Sequence, residues 1–196
     1  MQCPKCGLSA LRCYGWRVCT KYFGRLPVLE SVRSFTDMVL DIHLMIKSPA
    51  NYVSKFSNAG ADIITFHVEA EPYDSILSAI DEIHKLGKKA GLSLKPDTPL
   101  DTLLPFVHKL DLVLIMTVEP GFGGQMFIPE MLKKISVLRD LIESRKLDCE
   151  IQVDGGINQE TAKLCVNAGA NVLVAGEYIF KASDRGEKIA KLRELK

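Results

Sequence analysis

From residue 37 to its end, the chain alternates six times between a short run typical of a β-strand and a longer segment with helical spacing. The six predicted strands are 38–46, 62–68, 89–94, 111–118, 150–154 and 171–175. The predicted helices that follow them are 49–59, 73–86, 99–108, 129–145, 158–168 and 178–194. Nearly continuous apolar strands such as 112–116 are typical of a parallel sheet covered by helices. Consecutive βα units predict either a doubly wound sheet or a barrel.

Polar side chains favour the barrel, because four of the predicted strands carry them on one face and toward the C-terminal end. Successive side chains of a strand point to opposite faces, so Asp41, His43 and Met45 share one face. The same spacing relates Thr65, His67 and Glu69, then Ser93 and Lys95, then Gln152 and Asp154. In a (β/α)8 barrel the catalytic groups come from the C-terminal ends of several strands. A doubly wound sheet concentrates its ligand residues at one switch point. We therefore predict an α/β fold of the TIM-type (β/α)8 barrel class.

This barrel is predicted to be incomplete at its N-terminus. Eight strands are needed and six βα units are visible, while a βαβ unit takes about 30 residues or more. The 25 residues at the start of the chain are too few for two strands and a connecting helix. Residues 23–33 read as the helix that would follow a second strand. We therefore divide the chain into an atypical segment at 1–22 and a barrel domain at 23–196.

The first 25 residues differ in composition from the rest of the chain. They hold five basic residues, no acidic residue and four of the six cysteines. Cys3 and Cys6 have the spacing of a zinc knuckle, and Cys13 and Cys19 are the nearby candidates for two further ligands. A basic segment without acidic residues is also compatible with an organelle transit peptide. Three interpretations stay open, namely a metal-binding interaction module, a transit peptide and an atypical N-terminus, and we favour the last.

The overall composition excludes several classes of protein. Hydrophobic residues make up 47% and charged residues 25%, which is ordinary for a globular protein and excludes a mainly disordered chain. The 25 basic and 24 acidic residues give no excess charge that would indicate nucleic acid. No apolar run approaches the roughly 20 residues that span a bilayer. Cys149 and Cys165 are expected to be reduced core thiols, which favours a cytoplasmic protein.

Glycine clusters after the last three predicted strands indicate a phosphate site. They are Gly121, Gly123 and Gly124, then Gly155 and Gly156, then Gly176. Glycine lets backbone N–H groups approach an anion closely, and the loops after the last strands of such barrels commonly bind phosphate. The sequence therefore predicts a phosphorylated small-molecule ligand.

Four runs of the sequence resemble the ribulose-phosphate 3-epimerase family. They are 41–45, 66–69, 114–125 and 153–157, and the resemblance covers about residues 22–183. It implies interconversion of D-ribulose 5-phosphate and D-xylulose 5-phosphate, by metal-assisted proton transfer at C3 through an enediolate. It also implies a sugar phosphate as partner, one divalent ion (Zn, Fe, Mn or Co) and a homo-oligomer when the barrel is complete.

The resemblance also implies roles for individual residues. Asp154 corresponds to a catalytic aspartate that is also a metal ligand, and His43 to a second metal ligand. Both would contact the substrate, and Met45 and Met116 would line the enediolate. The region that holds the phosphate corresponds to Gly121, Phe122, Gly123, Gly124, Gly155, Gly156, Gly176 and Glu177. We interpret His67 and Glu69 as supporting residues at the mouth of the barrel.

The chain also departs from the family pattern. The Pro-Ser-x-Leu and His-x-Asp motifs of the first two family strands are absent, so a histidine ligand and the second catalytic aspartate have no counterpart. Glu177 stands where the family usually has serine, and a carboxylate repels a phosphate. The alternative interpretation is therefore an inactive or regulatory barrel fragment that acts as an interaction protein.

Overall fold

The computed structural model describes residues 10–12 and 17–20 by their backbone, and residues 26–121 and 124–195 in full. Eight strands form one closed sheet in chain order. They are β1 Ala10–Arg12, β2 Arg17–Thr20, β3 Val39–Leu44, β4 Ile63–His67, β5 Lys89–Leu94, β6 Leu112–Met116, β7 Glu150–Asp154 and β8 Val172–Ala175. Strands β3 to β8 pair in parallel with one another in chain order, and each is one of the six predicted strands. The predicted barrel of six βα units is therefore confirmed.

Seven α-helices are present in the described ranges. They are α1 Leu26–Arg33, α2 Val53–Asn58, α3 Tyr73–Lys85, α4 Met131–Ser144, α5 Gln159–Asn167, α6 Glu177–Phe180 and α7 Arg185–Arg193. Short 3-10 helices occupy Pro49–Tyr52, Val68–Ala70, Leu100–Leu103 and Val107–Lys109. No helix in the described part of the chain is both long and apolar enough to cross a bilayer.

Three predicted helices differ from the structure. The segment 49–59 begins as a 3-10 helix at Pro49–Tyr52 and continues as α2. The segment 99–108 contains two 3-10 turns instead of one helix, because Pro105 lacks the N–H that a continuing helix needs. The segment 178–194 is divided into α6 and α7. Asp184 begins the second of these, since its Oδ1 accepts the backbone N–H of Glu187 at 2.9 Å.

A short hairpin closes the sheet where the sequence predicted no strands. Strand β1 pairs antiparallel with both β2 and β8, and β2 pairs in parallel with β3. With three and four residues, these strands are too short to show a period in the sequence. Cys3, Cys6 and Cys13 lie outside the described residues, so the zinc-knuckle hypothesis and the boundary at residue 22 stay predictions.

At the N-terminal end of the barrel, side-chain oxygens accept the N–H of the second residue of a neighbouring strand. Asp62 accepts from Leu40 at 2.8 Å, Asp111 from Ala90 at 2.8 Å and Asn171 from Ile151 at 2.7 Å. We call these three contacts the strand-start hydrogen bonds. They lie at the end of the barrel opposite to the predicted mouth, where residues serve stability.

Candidate active site

The barrel interior contains a polar layer, as the alternation of side chains predicts. The side-chain amide of Gln152 on β7 donates to Asp41 Oδ2 on β3 at 3.1 Å, across the barrel. Both residues are almost fully buried. A polar group is stable at this depth only when hydrogen bonds satisfy it. The contact confirms that the face of β3 that carries Asp41 points inward.

One layer closer to the mouth, His43 on β3 contacts one side chain of β4 and one of β5. Its side chain is buried, and its Nε2 is 3.1 Å from the hydroxyl of Ser93. The His43 ring stacks on the His67 ring with 4.9 Å between centroids and 28° between planes. Three neighbouring strands therefore determine the position of His43.

Asp154 and the two methionines lie at the same end of the barrel. Asp154 is the last residue of β7, is buried, and pairs in register with Met116 of β6. Met116 and the partly buried Met45 belong to one apolar cluster with Leu112, Leu114 and Val118. The structure thus brings His43, Asp154 and both methionines to the C-terminal mouth, while their chemical roles stay predictions.

The predicted phosphate loops are in contact with one another. Gly156 has a φ of +61°, and a Cβ there would lie 2.7 Å from the backbone nitrogen of Phe127 in the loop after β6. A Cβ on Gly124 of that same loop would lie 2.7 Å from Glu177 Oε2 at the start of α6. The loop after β6 therefore contacts both the loop after β7 and the loop after β8. Phe122 and Gly123 lie outside the described residues.

Glu177 directs its carboxylate toward this glycine region. Its side chain is 42% exposed and forms an ion pair with Lys181, one turn later in the chain. Lys181 was not identified from the sequence, and its position four residues after Glu177 is the signal that could have indicated it.

Glu69 connects the loop after β5 to the two histidines. Its Oε2 is 3.1 Å from His67 Nδ1, and its Oε1 accepts the backbone N–H of Lys95 at 2.9 Å and the hydroxyl of Thr98. Burial opposes ionisation, but the hydrogen bonds from His67, Lys95 and Thr98 outweigh it and lower the pKa of the Glu69 carboxyl to about 2. The carboxylate therefore accepts hydrogen bonds only, and His67 Nδ1 donates. The supporting role of His67 and Glu69 stays a prediction.

A metal site requires a minimum number of protein ligands. Catalytic zinc sites have three protein ligands. His43 and Asp154 provide two donors, and the ranges with described side chains contain no group of three or more histidine, cysteine or acidic residues placed to bind a metal. These two residues alone do not complete a metal site.

Comparison with known proteins identifies the relatives of this chain. A model of the ribulose-phosphate 3-epimerase family matches residues 22–180. A ribulose-phosphate 3-epimerase of Synechocystis is 46% identical over 169 residues, which cover 86% of this chain and 74% of the relative. The enzyme of that name from Bacillus subtilis is 46% identical over 170 residues, which cover 86% of this chain and 77% of the relative.

A solved structure supports the fold independently. The 3-hexulose-6-phosphate synthase of Salmonella typhimurium has a TM-score of 0.68 to this chain, covering 87% of this chain and 79% of the synthase. The two sequences are 18% identical, so this likeness concerns the fold alone.

Proposed function

The chain belongs to the ribulose-phosphate 3-epimerase family, and we propose that it interconverts D-ribulose 5-phosphate and D-xylulose 5-phosphate. The observation that carries this proposal is the 46% identity to the Bacillus subtilis epimerase over 86% of the chain. The family match at 22–180 includes every strand from β3 to β8. The ends of these strands carry the candidate site.

Epimerisation at C3 removes a proton from one face of the sugar and returns a proton to the other. The ketone at C2 makes the C3 proton removable, because the negative charge moves onto oxygen and forms an enediolate. A proton-transfer group is therefore needed on each face.

We assign one of these groups to Asp154. It is a buried carboxylate at the C-terminal end of a central barrel strand, where the catalytic groups of such barrels lie. Asp41 is the other buried carboxylate among the residues with described side chains, and it lies one layer deeper, bonded to Gln152. Asp41 is therefore not assigned as the proton-transfer group for the opposite face, and a group other than Asp154 and Asp41 must supply it.

The phosphate is proposed to bind at the contact between the loops after β6, β7 and β8. Gly124 and Gly156 allow these loops to approach one another closely, because a Cβ at either position would collide with Glu177 or Phe127, and the backbone N–H groups of such loops can bind an anion. Met116, in register with Asp154, and Met45, which packs against the same apolar cluster, are proposed to line the enediolate.

The proposal also includes one divalent ion that uses His43 and Asp154 as two of its ligands. When bound, such an ion would stabilise the enediolate oxygen as a Lewis acid. Because these two donors do not complete a site, metal binding is measured separately, by metal analysis of the protein before and after dialysis against a chelator.

We further propose that the protein acts in the cytoplasm and forms a homo-oligomer. Cys149 and Cys165 are free and buried, and burial raises the pKa of each thiol to about 12. Such thiols are inert, as expected of packing residues in a reducing compartment. Sedimentation of the purified protein measures its oligomeric state.

The decisive experiment is epimerisation of ribulose 5-phosphate by the purified 196-residue protein, with Zn²⁺, Fe²⁺, Mn²⁺ or Co²⁺ added in turn. Asp154→Asn is expected to lower kcat by about 10²-fold or more, because general acid–base catalysis contributes about that much. Asp140→Asn is the matched control, since Asp140 is an exposed aspartate on α4. A folded protein that is inactive with all four ions would contradict the proposal and favour the inactive-fragment interpretation.

A further inference from the structure

The turn after β5 is held from two sides. It comprises residues 95–98 and is closed by a hydrogen bond from the Thr98 N–H to the Lys95 carbonyl at 3.2 Å. On the barrel side, the Lys95 N–H and the Thr98 hydroxyl donate to Glu69. On the outer side, the Lys134 ammonium on α4 donates to the carbonyls of Pro96 and Thr98, each at 2.7 Å.

The turn is connected to His43 by two sets of contacts. Ser93, two residues before the turn, lies 3.1 Å from His43 Nε2. Glu69 accepts from His67 Nδ1, and the His67 ring stacks on the His43 ring. A shift of the turn would therefore move the hydroxyl that contacts His43 and the carboxylate that orients the neighbouring ring.

The orientation of His67 depends on Glu69 in particular. His67 Nε2 is buried and has no hydrogen-bond partner among the described residues. The contact of Nδ1 with Glu69 is therefore the hydrogen bond that determines both the tautomer and the rotation of the ring.

We propose that Lys134, on the outer helix α4, is a positioning residue that fixes His43 in the barrel mouth through the turn at 95–98 and through Glu69 and His67. The proposal rests on the proposed function for the catalytic importance of His43. Within the described residues, the hydrogen bonds of Lys134 go to the carbonyls of Pro96 and Thr98.

The surroundings of Lys134 suit a positively charged side chain. Two carbonyl oxygens accept from its ammonium, and Asp97 and Glu69 lie close enough to attract it. Burial lowers the pKa of Lys134, and the attraction to these two carboxylates opposes that effect. Removing the ammonium would leave two carbonyls of a tight turn without their donor.

The experiment compares Lys134→Met with Lys133→Met in the full chain. Lys133 is the adjacent exposed lysine of the same helix, so the two variants make the same chemical change. Lys134→Met is expected to lower kcat about 10-fold with little change in KM, because misplacement of site groups affects the chemical step. Lys133→Met is expected to leave kcat and KM unchanged.

A second pair of variants tests the same path with a smaller perturbation. Thr98→Val removes the hydroxyl that donates to Glu69, whereas Thr98→Ser keeps it. Thr98→Val is expected to lower kcat severalfold, and Thr98→Ser is expected to restore it. This pair keeps the proposal testable if Lys134→Met does not fold.

A readout independent of activity separates this proposal from the proposed function. Nitrogen-15 NMR of the histidine rings reports which ring nitrogen carries the proton, and a His67→Gln spectrum assigns the signal of His67. In the wild-type protein His67 is expected to be protonated at Nδ1. In Lys134→Met that signal is expected to shift or broaden, whereas in Lys133→Met it stays unchanged.

The outcomes are distinct. An inactive wild-type protein whose His67 signal responds to Lys134→Met would contradict the proposed function and support the path from Lys134 to His67. A Lys134→Met variant with reduced thermal stability but an unchanged His67 signal and unchanged kcat would overturn the inference, since Lys134 would then be structural only.

Discussion

Glu177 places a carboxylate at the predicted phosphate site, next to Gly124. We predict that Glu177→Ser lowers KM for the sugar phosphate about two- to fivefold. The variant removes a repulsive charge that is partly screened by solvent, and such exposed interactions amount to roughly 0.2–1 kcal/mol. It also releases Lys181, which can then attract the phosphate. Steady-state kinetics measures the change.

The control for this prediction is Glu187→Ser. Glu187 forms an ion pair with Lys191 at the same four-residue spacing, but on α7. This variant is expected to leave KM unchanged. An equal change of KM in both variants would show that the effect of Glu177 is one of overall charge.

Glu69 makes the stability of the fold depend on pH. Its pKa is lowered from 4.5 to about 2 because hydrogen bonds to the carboxylate outweigh the opposing effect of burial. The folded state therefore favours the carboxylate, and this stabilisation is present above about pH 4.5 and is lost as the pH falls toward 2. We predict that Glu69→Gln destabilises the protein at pH 6 and that this difference shrinks below pH 4.

Urea denaturation at several pH values measures this difference in the free energy of unfolding. The expected upper limit is on the order of 3 kcal/mol, since one pKa unit corresponds to about 1.4 kcal/mol. Glu30→Gln, at an exposed glutamate of α1, provides the reference for a carboxyl on the surface. A constant difference between wild type and Glu69→Gln from pH 6 to pH 2 would contradict the prediction.

At the scale of elements, the strand-start hydrogen bonds connect β3 with β4, β5 with β6, and β7 with β8. We predict that Asp111→Ala lowers the free energy of unfolding by about 1–3 kcal/mol, because it leaves the Ala90 N–H without its acceptor. The kinetic constants are expected to stay unchanged, since Asp111 precedes β6 at the end opposite to the mouth.

Chemical denaturation and steady-state kinetics of the same samples test this prediction. Asp111→Asn keeps a side-chain oxygen and should lose less stability than Asp111→Ala. Asp148→Ala, at an exposed aspartate before β7, is the control for loss of a surface charge. A fall in kcat at unchanged stability would contradict the expectation that this end of the barrel serves stability and the mouth serves catalysis.

For the molecule as a whole, the hairpin of β1 and β2 is what closes the sheet. It pairs with β8 on one side and β3 on the other. We predict that deleting residues 1–20 exposes these two strand edges and causes self-association beyond that of the full chain, because unpaired N–H and C=O groups recruit further strands. Size-exclusion chromatography with light scattering measures the association. A variant that lacks only residues 1–9 keeps the hairpin and is expected to behave as the full chain does, whereas equal association of both would contradict the prediction.

The six βα units were predictable from the sequence because alternation and helical spacing are local properties of the chain. The inward face of β3, with Asp41, His43 and Met45, followed from the same local rule, and the Gln152–Asp41 hydrogen bond confirms it. The family was recognisable because short runs at the ends of several strands carry its motifs, and the family match confirms it.

The contacts between distant segments were decided by the tertiary structure alone. The closing hairpin has strands of three and four residues, and partners on β3 and β8 determine it rather than a period of its own. Lys134 looks like any other helical lysine in the sequence, and only the packing of α4 on the turn after β5 directs its ammonium to two carbonyls. The sequence determined which residues each strand presents to the barrel, because side-chain direction is local. The fold decided which loops meet there, because that depends on the closure of the whole sheet.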